Sequence, residues 1–308
     1  MSQLEVPRAA ARSADARRPK LEDVTIVIPT LGREILAESL QRIASGSAWP
    51  ARVILVDQGQ KQEVGRWAAK WSESGMDTVH VLSSQRGRAS GINTGLAHVH
   101  TRFVAITDDD CFVREDWLES MVLRLRENPE AVITGRVEAV GEEAVINVVT
   151  SQKAAVYRRP RVKFDTLSGG NMGTAMATLD RVGYFDEDPR LRTAEDGEWA
   201  YRALRAGVAI VYAPEVAVAH VGWRGESDRY RQYKGYARSH GGFYGKYLRK
   251  GDWFIAARVA VHLVRSLNRA VRGVLTADRE RAVHGWAYLV FLWPGMVKGM
   301  QSGRGEDQ

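Results

Sequence analysis

The first part of the chain alternates short β-branched runs with segments of helical periodicity, and this alternation constrains the fold more than any other feature. Residues 24–30 (VTIVIPT) and 51–59 (ARVILVDQG) are the first two runs, with a helical segment between them. Two further helix and strand pairs follow at residues 61–84 and 87–110. Strands that alternate with helices predict an α/β fold, with a parallel sheet between two layers of helices.

Beyond the fourth strand the pattern is less regular and predicts a mixed half. Residues 131–140 predict a strand, and residues 163–187 predict a glycine-rich loop that leads into a short helix. A helix with acidic residues in its first turn is expected at 192–207. Residues 209–220 predict two short strands interrupted by Pro214.

Length and composition predict one large domain, or one domain with an appendage. The chain has 308 residues, of which 44% are hydrophobic. Its single cysteine, Cys111, excludes an intrachain disulfide framework, and no ligand spacing indicates structural zinc. A reducing, cytosolic setting is therefore expected. The first twenty residues are basic and polar and predict a mobile tail rather than a secretory signal.

The formal net charge of +7 suits three kinds of partner: nucleic acid, an anionic membrane surface and a phosphate-bearing substrate. Beyond residue 223, basic residues alternate with aromatic and aliphatic ones. No zinc-finger, RRM or KH signature is present, so no nucleic-acid partner is expected and a basic nucleic-acid binder is the weakest interpretation.

Three adjacent carboxylates follow the fourth strand and require a cation or full solvation to offset their repulsion. If the strand stays extended, Asp108 and Asp110 point to one side and Asp109 to the other. Two carboxylates on one side suit Mg²⁺ or Mn²⁺. A solvated acidic turn is the alternative.

Polar residues also end the other predicted strands. Thr30 and Asp57 stand at strand ends like the three carboxylates, and the carboxyl ends of parallel strands meet at one ligand-binding edge. A second acidic pair, Glu195 and Asp196, opens a helix later in the chain. Acidic residues are also ordinary in a first helical turn, so this pair is either catalytic or structural.

Taken together, six motifs resemble an inverting glycosyltransferase of the family 2 type, which has the GT-A fold: VTIVIPTLGR, VILVDQG, GRASGINTGLAHV, FVAITDDD, SGGNMGTAMA and AEDGEWAYRALRAG. The resemblance covers roughly residues 22–222. It implies a Rossmann-like, mostly parallel sheet flanked by helices over 21–222. The nucleotide-binding half would lie at about 21–115 and the acceptor half at about 116–222, with a helical, amphipathic appendage at 223–308.

The resemblance implies a nucleotide-diphosphate-sugar donor and a bound Mn²⁺ or Mg²⁺. Asp57 would hydrogen-bond the base, or else be a strand-end turn residue, and Asp108 would face the ribose. The metal ligands would be Asp110 and His220, although a histidine in that place is also an ordinary packed or capping residue. The implied nucleotide-binding residues are Pro29, Thr30, Arg33, Asp57, Arg86, Arg88, Asp108 and Asp109. For Arg86 and Arg88 a solvated basic turn is the alternative.

The resemblance also implies the catalytic groups. Asp196 would take the acceptor hydroxyl proton, Glu195 would orient the loop or the acceptor, and Glu198 would support them. Three residues of SGGNMG, which is otherwise a plausible turn, would lie beside the donor and acceptor sugars: Gly169, Gly170 and Asn171. The chain lacks the Gln-x-x-Arg-Trp motif of processive synthases and has Trp223 and Arg224 in reverse order. A non-processive, hexosyltransferase-like enzyme is therefore expected.

The C-terminal region predicts long basic amphipathic helices. Residues 252–275 place aromatic and aliphatic side chains among arginines, and no uncharged run is long enough to span a bilayer. Peripheral association at the cytoplasmic membrane face is expected through 252–300, with a glycan or lipid-linked acceptor. The alternative is that these helices only pack in a core.

Two other functions remain open from the sequence. One is a sugar-nucleotide pyrophosphorylase, although PTLGRE replaces the glycine-rich loop of that class. The other is a non-catalytic glycan- or nucleotide-binding protein on the same fold.

Overall fold

The computed structural model describes residues 18–140, 148–163, 166–222 and 226–301, without the side chains of 226–228. Most of the predicted basic tail and the Trp223–Arg224 pair lie outside these residues. The first strand begins at Lys20, where the tail was expected to end.

The chain divides into two compact units. The first comprises residues 1–158, 167–185 and 203–223, and the second comprises residues 159–166, 186–202 and 224–308. The second unit thus includes two segments from within the predicted catalytic domain.

The first unit contains nine described strands and five helices. The strands are β1 (Lys20–Thr30), β2 (Trp49–Asp57), β3 (Thr78–Leu82), β4 (Phe103–Thr107), β5 (Cys111–Val113), β6 (Val132–Val140), β7 (Ala155–Tyr157), β8 (Asn171–Ala175) and β9 (Ile210–Val221). The helices are α1 (Ile35–Ala44), α2 (Gln62–Glu73), α3 (Arg88–Leu96), α4 (Trp117–Glu127) and α5 (Met176–Val182).

The described strands form one mixed sheet in the order β3-β2-β1-β4-β8-β6-β9-β5, with β7 paired to β9. The four strands β1 to β4 are parallel, which confirms the predicted α/β alternation. Every residue of β4 is buried, as are the last residues of β1 and β2, whereas β3 at the edge of the sheet is only partly buried. Burial on both faces explains why β1, β2 and β4 appear in the sequence as continuous apolar runs.

Two segments differ from the predictions. Half of the glycine-rich motif expected to be a loop is β8, which pairs antiparallel with β4 and with β6. The two strands expected around Pro214 are one strand, β9, whose pairing with β6 shifts between Gly135 and Arg136. Pro214 lies in this irregularity, where the proline needs no ladder hydrogen bond.

The second unit is helical in its described part. It contains most of α6 (Glu195–Arg205) and three long helices, α7 (Glu226–Arg249), α8 (Trp253–Leu275) and α9 (Arg279–Gln301). Helices α7 and α9 approach closely, because a Cβ at Gly245 would overlap the Met296 carbonyl oxygen. The core includes Tyr201, Phe243 and Leu292.

Helix α8 buries only one of its faces. Ile255, Val259 and Ala270 are buried, whereas Trp253 and Leu275 at its two ends are exposed. Within the described residues, no helix has both the length and the apolar character that crossing a membrane requires.

Candidate functional site

Three consecutive carboxylates, Asp108, Asp109 and Asp110, form an acidic turn at the carboxyl end of β4. The strand ends at Thr107, and the Cys111 N–H donates to the Asp108 carbonyl oxygen at 3.1 Å. The predicted alternation of sides is wrong, because this segment is a turn and not extended. Asp109 and Asp110 instead share one arginine, and Asp108 binds another.

Asp109 anchors the acidic turn to β1 and α1. The Thr30 hydroxyl donates to Asp109 Oδ2 at 2.6 Å, and the Ser39 hydroxyl donates to the Asp109 carbonyl oxygen at 2.7 Å. Arg33 donates to both carboxylate oxygens. Burial raises the pKa of Asp109, although the hydrogen bonds from Arg33 and Thr30 oppose this rise. Burial also lowers the pKa of Arg33, but its bonds to Asp109 and the nearby Asp110 charge outweigh this effect and raise that pKa.

Asp108 lies between Arg88 and the glycine pair. Arg88 Nε donates to Asp108 Oδ1 at 2.7 Å. A Cβ at Gly170 would lie 2.8 Å from Asp108 Oδ2, and one at Gly169 would lie 2.6 Å from an Arg88 nitrogen. The two predicted sugar-site glycines therefore allow the backbone to approach the acidic turn closely.

Asp110 lies beside His220 and Cys111. Ligand atoms of these three residues lie within 4.8 Å of one another. His220 Nε2 is 3.3 Å from Asp110 Oδ1, and Arg33 Nη2 donates to Asp110 Oδ2 at 2.8 Å. Pairing of β5 with β9 places Cys111 opposite His220, and the Val221 N–H donates to the Asp110 carbonyl oxygen at 2.9 Å.

This donor set fits a divalent ion. Burial raises the pKa of the Cys111 thiol well above its usual value, and the charges of Asp108 and Asp110 raise it further. Without a metal ion the thiol therefore stays protonated near neutral pH, and the other two ligands of the group are one carboxylate and one imidazole. Such a set suits Mn²⁺ or Mg²⁺, which keep coordination positions for phosphate or water oxygens.

The predicted strand-end residues meet at one edge of the sheet. Thr30 and Asp57 are paired across β1 and β2, and Pro29 is buried beside them. The Asp57 carboxylate is fully buried and accepts from the Gly59 N–H at 2.9 Å and the Lys61 N–H at 2.7 Å. These bonds match the alternative of a strand-end turn residue, and contact with a base stays a prediction.

Arg86 and Arg88, the two basic residues predicted to bind the nucleotide, differ in their surroundings. Arg88 binds Asp108, whereas Arg86 is exposed, as expected for a solvated turn. Gln58 lies at the same edge and was not predicted. Its Nε2 donates to the carbonyl oxygens of Gln85 at 2.7 Å and Gly87 at 2.8 Å, so it fixes the loop before α3.

Asn171 requires a correction. The predicted sugar contact is not supported, because the side chain is fully buried in β8. Its Oδ1 accepts from Trp117 Nε1 at 2.9 Å, and its Nδ2 donates to the carbonyl oxygens of Arg136 at 3.0 Å and Val216 at 2.9 Å. Both amide protons are used, so Asn171 stabilises the sheet.

The second acidic group lies on α6, in the second unit. Glu195 and Glu198 are buried, whereas Asp196 is partly exposed and accepts from the Gly197 N–H at 2.7 Å. Of the three acids, Asp196 is therefore the one a solvent-borne ligand reaches most easily.

The fully buried Glu198 is the centre of a cluster that consists of Glu198, Arg202, Lys246 and Tyr247. Arg202 Nε lies 3.0 Å from both carboxylate oxygens, Lys246 Nζ donates at 2.9 Å and the Tyr247 hydroxyl at 2.6 Å. Burial raises the pKa of Tyr247, and the Glu198 charge adds to it. Lys246 also binds Asp186.

Sequence reasoning missed Ser39, Gln58 and Cys111 as parts of the site. Gln58 directly follows Asp57 at a strand end, and this position would have indicated it. Cys111 directly follows Asp110 and would have been indicated in the same way, whereas Ser39 lies inside α1 and has no local signal because long-range packing places it.

Comparison with known proteins matches residues 25–190 to the family model "Glycosyl transferase family 2". The pre-mycofactocin glycosyltransferase of Mycobacterium tuberculosis (strain ATCC 25618 / H37Rv) is 30% identical over 210 residues, which cover 66% of this chain and 43% of the relative. Chondroitin synthase of Escherichia coli is 24% identical over 226 residues, which cover 61% of this chain and 33% of the relative. The matched stretch spans less than half of either relative.

Solved structures show the same fold. Mannosyltransferase PcManGT from Pyrobaculum calidifontis, in complex with GDP-Man and Mn²⁺, has a TM-score of 0.59 at 18% identity and covers 98% of this chain and 92% of its own. TarS of S. aureus (residues 1–349), in complex with UDP, has a TM-score of 0.55 at 15% identity and covers 90% of this chain and 92% of its own. These likenesses show the GT-A fold. The family match, which extends over more than half of the chain, shows that the protein belongs to glycosyl transferase family 2.

Proposed function

We propose that the protein transfers a single sugar, with inversion of configuration, from a nucleotide-diphosphate-sugar to a hydroxyl on a glycan or lipid-linked carrier. The observation that carries the proposal is the acidic turn beside His220, at the ligand-binding edge of the sheet in a family 2 chain. The enzyme would work in the cytoplasm, peripherally at the inner membrane face.

The donor class is supported by the structural neighbours. PcManGT was solved with GDP-Man and TarS with UDP and with UDP-GlcNAc. In our proposal the nucleotide lies along the strand ends at Pro29, Thr30 and Asp57, with Asp108 towards the ribose.

Asp110 and His220 would hold the divalent ion, whose charge stabilises the negative charge that develops on the departing diphosphate. Arg33 and Arg88 neutralise the acidic turn when no ligand is present, through Asp110 and Asp108 respectively. Both guanidinium groups would then offer charge-assisted hydrogen bonds to phosphate oxygens.

Asp196 would act as the general base. Its partial exposure leaves it accessible to an acceptor, unlike the buried Glu195 and Glu198. It would take the proton from the acceptor hydroxyl while that oxygen attacks the anomeric carbon from the side opposite the diphosphate, and this direction of attack inverts the configuration.

Nucleotide binding is tested by thermal unfolding with UDP, GDP, dTDP, CDP or ADP, each with and without Mn²⁺. One nucleotide should raise the melting temperature by about 3 °C or more, at about tenfold its Kd, only when Mn²⁺ is present. The shift should disappear in Asp110→Ala and persist in Asp196→Asn. Absence of a metal-linked shift with every nucleotide would contradict the proposal.

Transfer is tested with the nucleotide sugar whose base gives that shift. Asp196→Asn should lower the transfer rate by about a hundredfold or more, because a general base is lost while donor binding remains. The matched control is Asp180→Asn, which changes an exposed carboxylate on α5. A near wild-type rate in Asp196→Asn refutes the base assignment. Donor binding without turnover by the wild type would instead favour the non-catalytic binding protein.

A further inference from the structure

Helix α8 exposes a continuous line of apolar side chains over its whole length. Eleven of the eighteen exposed large hydrophobic residues among the described ones lie on α8 and α9. Six of these eleven residues lie on α8, and with the exposed Ala257 and Ala260 they form what is here called the α8 stripe. The six are Trp253, Val264, Leu267, Val271, Val274 and Leu275.

The spacing of the α8 stripe keeps it on one side of the helix. From Trp253 to Val274 its members are separated alternately by four and three residues, which aligns side chains along a helix. The 23 residues of α8 make the line roughly 34 Å long at about 1.5 Å per residue. Val264 is 67% exposed and Leu275 is 78% exposed, so these side chains do not belong to the core of the unit.

The charges of α8 are all of one sign. The helix contains four arginines and no aspartate or glutamate. Arg258 is buried over the Phe243 ring, whereas Arg265 and Arg272 are exposed near the stripe. An apolar face beside exposed arginines, with a tryptophan at one end, has the composition of helices that lie in a membrane interface.

The same charges argue against a second copy of the chain as the partner. Two α8 stripes in contact would bring Arg265 and Arg272 near their counterparts, and α8 supplies no carboxylate to pair with them. Like charges placed together across an interface oppose association. Anionic lipid headgroups complement both the arginines and the apolar line.

We infer that the α8 stripe is the surface through which the protein lies on an anionic lipid membrane. The inference rests on the proposed action at a membrane face and deepens it, because it names the contacting residues and the lipid charge. A second line of exposed apolar residues with similar spacing occurs on α9, which packs against α8: Trp286, Val290, Trp293, Val297 and Met300.

The test is flotation of the full chain with vesicles of phosphatidylcholine, with or without about a third phosphatidylglycerol. The wild type should float at least about tenfold better with the anionic vesicles, and raising the salt should reduce this binding. Val264→Glu with Val271→Glu should lower flotation by about tenfold or more, because two charges enter the apolar line.

The matched control is Leu82→Glu with Leu123→Glu, which puts the same two charges on exposed apolar positions of the first unit. It should float like the wild type. Equal flotation of the two double variants would overturn the inference. A second result would also overturn it: the wild type and the Leu82→Glu, Leu123→Glu variant are dimers in sedimentation velocity, and the Val264→Glu, Val271→Glu variant is a monomer. The α8 stripe would then join two copies of the chain. No donor is present in this test, so its failure differs from failure of the nucleotide-binding test.

Discussion

The acidic turn and the Glu198 cluster both combine carboxylates with basic side chains, but their carboxylates differ in burial. At the acidic turn, the Asp108 and Asp110 side chains are 22% and 10% exposed, and Asp110 lies beside His220. In the cluster, the Glu198 side chain is fully buried and is surrounded by Arg202, Lys246 and Tyr247.

This difference indicates which ion pairs can be exchanged. A partly solvated carboxylate can lose its arginine at little cost, because water and an incoming ligand replace the lost interaction. A fully buried carboxylate with two cations cannot lose a partner without leaving an uncompensated charge. The acidic turn is therefore suited to binding and release, and the Glu198 cluster to stability.

The largest expected effect of breaking this contrast comes from Glu198→Gln. The substitution removes a counter-charge of Arg202 and one of the two that Lys246 has, so the free energy of unfolding should fall by about 3 kcal/mol. Urea unfolding measures the change. Glu130→Gln, at an exposed position, is the control and should stay within about 0.5 kcal/mol of the wild type. A loss below about 1 kcal/mol would mean that the cluster is not a stabilising ion network.

A second prediction concerns pH and the interior of the same unit. His284 stacks on Tyr233, and Arg269 lies beside its ring. Burial lowers the pKa of His284 to about 4, and the charges of Arg269 and His240 contribute. The unfolded chain therefore binds the proton more tightly, and stability is lost as the pH falls from about 6.5 towards 4.

This loss is measured as the difference in unfolding free energy between pH 7.5 and pH 5. At His284 it should amount to about 2 kcal/mol, and His284→Phe should remove that part of the pH dependence. The other titrating groups occur in both proteins and cancel in the comparison. An identical pH dependence in the variant would show that the histidine is solvated.

The smallest expected effect concerns the exchange of Arg33 for a cation at the acidic turn. Arg33 competes with a cation for Asp110 Oδ2, which it binds at 2.8 Å. Arg33→Ala should therefore tighten Mn²⁺ binding without nucleotide by about fivefold, or roughly 1 kcal/mol. Calorimetric titration measures it, with Arg86→Ala at an exposed position as the control. Equal affinities in the two variants would show that Arg33 does not compete.

The parallel half of the fold follows from local patterns. Strands β1, β2 and β4 are buried on both faces over their last residues, so their sequences are continuous apolar runs that end in polar residues. The order of these polar ends along the chain was enough to predict that Thr30, Asp57 and the carboxylates share one edge.

The remaining details depend on long-range contacts. The acidic turn was misjudged because periodicity does not tell where β4 ends. Strand β8 was expected to be a loop because Asn171 and Gly173 are poor strand formers, yet antiparallel pairing with β4 and the bond from Trp117 hold it in the sheet.

Cys111 gives the acidic turn a built-in kinetic reporter. It is the only cysteine in the 308 residues and is 3% exposed, directly after Asp110. A thiol reagent reaches it only when β5 separates from its neighbours, so the labelling rate measures how often this strand opens. A ligand that binds the adjacent turn and holds β5 in place slows the labelling rate. The fraction of protein with ligand bound can therefore be measured from this rate without an introduced probe.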